Sequence, residues 1–331
     1  MTPTFVTTLD YCDDPRWVAN SRLLAELPTK HTAVDELRQL LRVLWGVRSE
    51  SLVHLCSSTG RYQPDLLAAV VLGFLRPLAR DRVVVISGCM WQPDSGLRGR
   101  IQRLLVRVAD RAVVRYAVQS TEEIAVFPQT WGVSADKVRF TPLYATLTAA
   151  ELAAPRPPVG DYVFAGGNSH RDYAALLQAA ELLPEREFVI ATNLLEGREL
   201  PPNVTAAAVS HNEFVRLLRG ARVVVVPIVS GLSRSTGQQT YLNAMLLGKP
   251  TVVTDTLGVR DHVRDGETGL VVSGTAQGYA AAISWAFDPE NAAALTTMSA
   301  MAVADVNARF SFPHHVEALL AVINDAAAKR E

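Results

Sequence analysis

The stretch ARVVVVPIVSGLSRSTGQQTYLNAMLLGKPTVVTDTLGVRDHVRDGETGLVV, residues 221–272, decides the fold. Residues 223–227 are a short β-branched run of the kind buried on both faces of a parallel sheet. A polar loop, 228–237, follows, and then a helical pattern from Gln238 that Gly248 ends. Lys249-Pro250 opens a second buried strand at 251–254, and a tight turn at Gly266 precedes a third at 270–272. Strand, helix and strand in this rhythm predict a parallel sheet with crossover helices.

The rhythm extends in both directions. Strands are expected at 4–9, 52–56, 83–87, 113–118 and 138–140, with helices near 34–46, 65–79, 97–110 and 120–131. Between them and the later strands (162–165, 188–191 and those above) lies AAELAAPRPPVG, residues 149–160, with three prolines in four positions. Such a composition continues neither a helix nor a central strand. The expected organisation is therefore an N-terminal domain 1–148, a linker 149–160, a second domain 161–312 and a closing helix 313–331 that packs back on the first domain. Helices of the second domain are expected from about 171, 212, 237, 259, 275 and 290. The class is α/β, two Rossmann-like doubly wound units, which bind ligands at the carboxyl ends of their strands and in the cleft between the domains.

Composition removes several classes of function. The 331 residues are 49% hydrophobic and 20% charged, which is globular composition, and 32 Lys plus Arg against 33 Asp plus Glu leave a formal charge of −1. Nothing global favours a nucleic-acid partner. The most apolar stretch, 66–75, is half the length of a bilayer span, and the N-terminus lacks a basic start followed by an apolar segment. Cys12, Cys56 and Cys89 are odd in number and form no C-x-x-C pair, so neither a disulfide framework nor a structural metal is expected. These features predict a reduced, cytoplasmic protein with no metal.

The loop 228–237 delivers a helix N-terminus, whose free N–H groups and positive dipole end suit a diphosphate. Arg234, Ser235, Thr236, Gly237 and Gln238 are the candidate contacts, with Ser235 or Thr236 as the expected cap. Gly237→Val is expected to block close approach of phosphate with little loss of fold. The segment AMLLGKPTVVTDTLGVRDHVRDGETGLVV, 244–272, closely resembles the donor-binding half of GT-B glycosyltransferases of the group 1 family, which use nucleotide sugars. The resemblance runs back through ARVVVVP to QSTEEIAVFPQTWGVSADKVRFTPL at 119–143, about two-thirds of the sequence. It implies a GT-B fold and transfer of a sugar from a nucleoside diphosphate donor to an acceptor hydroxyl, mostly with retention and without a metal. Family members carry two spaced glutamates on the donor; here Asn243 stands at the ribose position and Ser235 near the sugar position. The family's Gly-Arg donor loop is resembled by VFAGGNSHRDYAALL, 163–177, which supplies Gly166, Gly167 and Arg171. For Arg171 a surface ion pair is the competing role.

The first half offers less. SSTGRYQPD, 57–65, brings Arg61 and Asp65 to a strand end, and ISGCMWQPDSG, 86–96, brings Trp91 and Asp94. Arg61 and Trp91 are candidate acceptor contacts, though Trp91 could equally cover the core edge. Asp94 and Asp10 are candidate bases, turn formation being the ordinary role of a loop aspartate. His54 lies within a strand and reads as a hydrogen-bonded core residue. Residues 97–111 place Arg100, Arg103, Arg107 and Arg111 within about 80° of one face and Leu97, Ile101, Leu104, Leu105 and Val108 on another. Between 76 and 115 nine arginines face three aspartates, so this helix could lie on anionic headgroups at the inner face of a membrane, or simply be solvated. The acceptor is thus a small molecule or lipid-linked. A sugar-nucleotide epimerase or hydrolase, and a catalytically silent homologue that binds an active transferase, are the competing functions.

Overall fold

The valine-rich runs are strands because β-branched side chains pack on a pleated surface, and here both surfaces are covered. The computed structural model describes residues 4–24, 32–47, 50–57, 63–75, 82–155 and 157–329. The chain divides into two compact units, Met1–Pro142 with His315–Glu331, and Leu143–His314.

In the first unit the strands are β1 (Phe5–Thr7), β2 (Ser21–Leu23), β3 (Leu52–Cys56), β4 (Val83–Ser87), β5 (Val113–Val118) and β6 (Val138–Phe140), all parallel, in the order β2-β1-β3-β4-β5-β6. The connecting helices are α1 (Pro15–Asn20), α2 (Ala33–Gly46), α3 (Pro64–Phe74), α4 (Gly96–Ala109) and α5 (Glu123–Trp131). The order reverses between β1 and β3, so the loops after those strands flank the switch point where such sheets bind ligands. Helix α2 packs on α3 and α3 on α4, forming one layer. Gly73 lets α3 approach α4 closely, since a Cβ there would collide with the Val108 carbonyl.

In the second unit α6 (Ala149–Ala153) precedes β7 (Tyr162–Gly166), α7 (Tyr173–Leu182), β8 (Glu187–Ala191), β9 (Val204–Ala207), α8 (His211–Gly220), β10 (Val223–Val226), α9 (Gln238–Leu246), β11 (Thr251–Thr254), β12 (Leu270–Val272), α10 (Ala276–Phe287) and α11 (Ala292–Arg309). The sheet order is β12-β11-β10-β7-β8-β9, again all parallel, with its switch point between β7 and β10. Alternate residues feed two cores: Val163, Val223, Val225 and Val252 pack with α7 and α10, while Phe164, Val224, Val226 and Val253 pack with α8, α9 and α11.

Three local expectations change. The helix expected near 259 is a one-turn 3-10 helix, Val259–Asp261, because Gly258 at φ +81° and the buried His262 hold the chain in a compact turn. Residues 149–153, ahead of the prolines, form helix α6, capped at its N-terminus by a capping box in which Thr148 and Glu151 satisfy each other's backbone N–H groups. The edge strand β9 and the short elements α1 and β2 carry little apolar periodicity and were not anticipated from it. The last helix, α12 (Phe312–Ala328), belongs to the first unit from His315 on. It is tied there by Asp325 to Arg115 at 2.5 Å and by the Tyr11 hydroxyl to His315 Nε2 at 3.0 Å.

Candidate functional site

At the β7/β10 switch point two loops meet. The strand β7 ends at Gly166, and the chain turns through Gly167 at φ +114° and His170 at φ +53° before α7. Strand β10 hands over to Ile228, which forms an isolated bridge with Arg171, while Asp172 N–H reaches the Pro227 carbonyl at 3.0 Å. Thr254 at the end of β11 fixes the same loop, accepting from Ile228 N–H at 2.7 Å and pairing with the Tyr279 hydroxyl at 2.7 Å.

Arg171 is the centre of this arrangement. Its guanidinium donates to the Gly166 carbonyl at 3.1 Å, the Ser169 carbonyl at 2.8 Å and the Thr240 hydroxyl at 3.1 Å. Desolvation pulls its pKa below the ordinary arginine value, yet an arginine stays charged at neutral pH. Among the described residues it has no carboxylate partner, which removes the surface ion pair as its role. Three of five N–H groups are used, and two remain. Gly167 has no room for a side chain, because a Cβ would lie 2.9 Å from Arg171 Nη2. Gly166 serves packing instead: a Cβ there would meet the ring of Phe214.

Thr240 sits in the first turn of α9, so the guanidinium lies at a helix N-terminus. The expected cap by Ser235 or Thr236 is not formed. The N-cap is Gly237 in the left-handed region at φ +85° with no side-chain cap, and Ser235 instead accepts from Gln238 Nε2 at 2.6 Å. Among the described residues the N–H groups of Gln238 and Gln239 have no hydrogen-bond partner, while those of Thr240 and Tyr241 return to the Gly237 carbonyl at 3.0 and 3.2 Å. Arg234 donates to the Ser235 carbonyl at 3.2 Å and reaches His170 Nδ1 at 3.2 Å. Burial first, then Arg234 and Arg171, hold His170 below its ordinary pKa, so it stays neutral and can accept that bond. Asn243 faces Thr146, its Oδ1 accepting from Thr146 N–H at 2.8 Å and its Nδ2 donating to Thr146 Oγ1 at 3.0 Å.

Sequence reading overlooked Thr240, His170 and the set that clamps Gly167. The Gly167 carbonyl accepts from Tyr173 at 2.7 Å and from Thr192 at 3.1 Å, and Asn168 Oδ1 accepts from Asn193 N–H at 3.0 Å. Thr240 could have been found from its place three residues beyond the N-cap glycine; the others depend on tertiary contacts.

The fold has known counterparts. Residues 161–288 match the family model described as Glycosyl transferases group 1. The chain has the GT-B fold. Among solved structures similar to it, a Rickettsia africae glycosyltransferase shares 11% identity over 98% of this chain and 90% of its own, with a TM-score of 0.63. Sucrose-phosphate synthase from Thermosynechococcus elongatus shares 16% identity over 93% of this chain and 84% of its own, at 0.64. Anabaena HepE in complex with UDP shares 16% over 98% and 90%, at 0.61. No curated protein sequence matches the chain.

In the first unit of this GT-B protein the candidates scatter. Arg61 lies outside the described residues. Trp91 is a core residue, 4% exposed, donating to Ser57 Oγ at 3.0 Å and packed on Tyr116, Phe127 and Trp131; it offers no free face for a sugar. It borders a pocket of about 250 Å³ between α3 and α4, lined also by Gln63, Gln92, Gln102 and Leu105. Asp94 is exposed and engaged by Gln102 through both its N–H and its Oδ2, which is a turn role rather than that of a base. Asp10 is exposed in the loop after β1. His54 is wholly buried and hydrogen-bonded on both nitrogens, to Thr7 and to Ser87, each at 2.8 Å. A buried acid near this switch point is Asp65, in the first turn of α3, neither carboxylate oxygen of which has a hydrogen-bond partner among the described residues. Burial raises its pKa to about 7, the nearby Thr8 hydroxyl opposing only in part. Among the described residues no group of three metal-ligating side chains occurs.

Proposed function

We propose that this protein is a glycosyltransferase that moves a sugar from a nucleoside diphosphate sugar to an acceptor hydroxyl, with retention and without a metal ion. The observation that carries the reading is Arg171, a desolvated guanidinium with no carboxylate partner among the described residues, set beside the uncapped N-terminus of α9. As the bond between the anomeric carbon and the diphosphate oxygen breaks, the electron pair leaves with the phosphate. The free Arg171 N–H groups and the α9 dipole stabilise that growing charge, the service a cation would otherwise perform. The acceptor oxygen then bonds to the anomeric carbon on the face the phosphate leaves, and its proton passes to the departing phosphate oxygen. Gly167, Arg234, Ser235, Thr236, Gly237 and Gln238 shape the diphosphate pocket. Asn243 retains one N–H and one lone pair for the ribose beyond its bonds to Thr146. The acceptor is a small molecule or a lipid, and the arginines of α4 support the lipid.

The experiment is a thermal-shift screen of UDP, GDP, dTDP and ADP, UDP first because it is held by Anabaena HepE. A bound nucleotide at 100 times its Kd adds about 2.7 kcal/mol of stability. Arg171→Ala should then weaken its affinity at least about tenfold, the value of a charge-assisted contact. No shift with any nucleotide, or an Arg171→Ala affinity within twofold, overturns the reading. Product analysis with and without acceptor separates transfer from hydrolysis.

A further inference from the structure

Helix α4 is amphipathic in the opposite sense to a soluble helix. It packs through Gly99, Val106 and Ala109, whereas Leu97, Ile101 and Leu104 are 72%, 49% and 60% exposed. At 100° per residue the apolar stripe lies opposite the packed face. The apolar set read from the sequence is therefore not the set that faces the core. Helix α2 repeats the inversion: Glu36, Gln39 and Val43 are buried, while Val34, Leu37, Leu41 and Trp45 are exposed, Trp45 by 75%. Between these two helices lies α3, whose C-terminal Phe74 is also 75% exposed. Single exposed apolar residues are ordinary, but two neighbouring helices with outward apolar stripes form a patch that asks for a partner.

Charge identifies that partner. Arg38 and Arg42 on α2, and Arg98, Arg100 and Arg107 on α4, are exposed. Among the described residues only Arg38 has a carboxylate within ion-pair reach, Asp35 at 3.6 Å. The core of a protein interface is depleted of charge, whereas apolar stripes bordered by unpaired arginines match a bilayer surface, with side chains in the acyl boundary and guanidinium groups at the headgroups. Trp45 suits that boundary, being apolar with a polar edge. We propose that the outer face of α2, α3 and α4 docks on an anionic lipid bilayer. The proposal deepens the lipid-acceptor reading above, on which its purpose rests, although its test does not involve a donor. Arg103, counted from sequence among the lipid contacts, is committed instead to the Thr130 carbonyl at 3.2 Å.

The test is flotation of the full chain with phosphatidylcholine vesicles, with and without one-quarter phosphatidylglycerol. The chain should float only with the anionic vesicles and come off at high salt, which screens the headgroup attraction. Leu41→Ser with Leu104→Ser, and separately Arg98→Glu with Arg100→Glu, should each lower the bound fraction at least about fivefold, with far-UV circular dichroism and the nucleotide thermal shift unchanged. Absence of binding, equal binding to both vesicles, or a dimer in light scattering that the serine pair dissociates would each overturn the proposal, the last by giving the face to a second copy. A chain that floats but binds no nucleotide leaves docking standing and removes the transferase reading.

Discussion

The side-chain amide of Asn243 on α9 forms a two-point pair with Thr146, accepting its N–H at 2.8 Å and donating to its hydroxyl at 3.0 Å. Half the amide's capacity is thus committed to holding the chain just before α6 against the helix that presents the candidate diphosphate site. Asn243→Ala leaves the Thr146 N–H and hydroxyl without these partners and should cost about 1 to 3 kcal/mol of stability. Thermal denaturation should show that loss, and calorimetry should show a smaller loss of nucleotide affinity than Arg171→Ala. The reverse ranking would make Asn243 chiefly a ligand contact.

Gly237 has two structural reasons to be glycine. Its φ is +85°, and a Cβ would lie 2.8 Å from Ile228 Cδ1. The expectation that Gly237→Val spares the fold is therefore corrected: left-handed strain alone costs about 1 to 2 kcal/mol, more for a β-branched side chain. Gly237→Ala should lower Tm measurably and Gly237→Val more so, in the absence of any nucleotide. A valine variant as stable as the parent would show that the loop relaxes freely.

Thr192 supports Arg171 at one remove. Its hydroxyl lies 3.1 Å from the Gly167 carbonyl and 2.8 Å from Asn168 Oδ1, and it accepts from Leu194 N–H at 3.1 Å. Thr192→Val keeps the shape and removes the one O–H donor that the Gly167 carbonyl and Asn168 Oδ1 share, together with the acceptor for Leu194 N–H, so stability should fall by about 1 to 2 kcal/mol. Nucleotide affinity should fall by a smaller factor than in Arg171→Ala. Calorimetry on both variants decides; equal losses would place Thr192 itself on the ligand.

Periodicity made the sheets legible, because a buried parallel strand is a continuous apolar run: strands 52–56, 83–87 and 113–118 coincide with β3, β4 and β5. It failed at β9, VTAA, where only Val204 is buried and no apolar run exists. It also misled at α4, since spacing tells which side chains share a face but not which face packs. There, close approach to α3 at Gly73 selects the small residue Ala109, Gly99 makes room for the Asp94 carbonyl, and Leu97 and Leu104 turn outward. In the candidate site the glycines and Arg171 were visible as a motif. The lack of a counter-charge, which makes Arg171 informative, belongs to the folded chain alone.

The first unit contains two buried titratable groups whose effects on stability oppose each other. Burial raises Asp65 to about 7 from 3.8, so between those values the folded state holds a proton that the unfolded chain has released. Stability from Asp65 is fully present below about pH 4 and is lost as pH rises through 7. Burial, with His315 adding repulsion, lowers His54 to about 3 from 6.5, so between those values the unfolded chain binds the extra proton. Stability from His54 is present above about pH 6.5 and is lost as pH falls towards 3. From about pH 4 to 6 the two slopes nearly cancel, each about 1.4 kcal/mol per pH unit at most. Asp65→Asn should unmask the histidine, giving a Tm that rises steadily from pH 4 to 6 and no longer declines on this account near pH 7. His54→Gln should unmask the aspartate, giving a Tm that falls over the same range. Differential scanning calorimetry of the three proteins from pH 4 to 8 measures this directly. Parallel curves for parent and Asp65→Asn would mean that the carboxyl titrates normally, and would remove Asp65 from consideration as a proton-holding group at the first switch point.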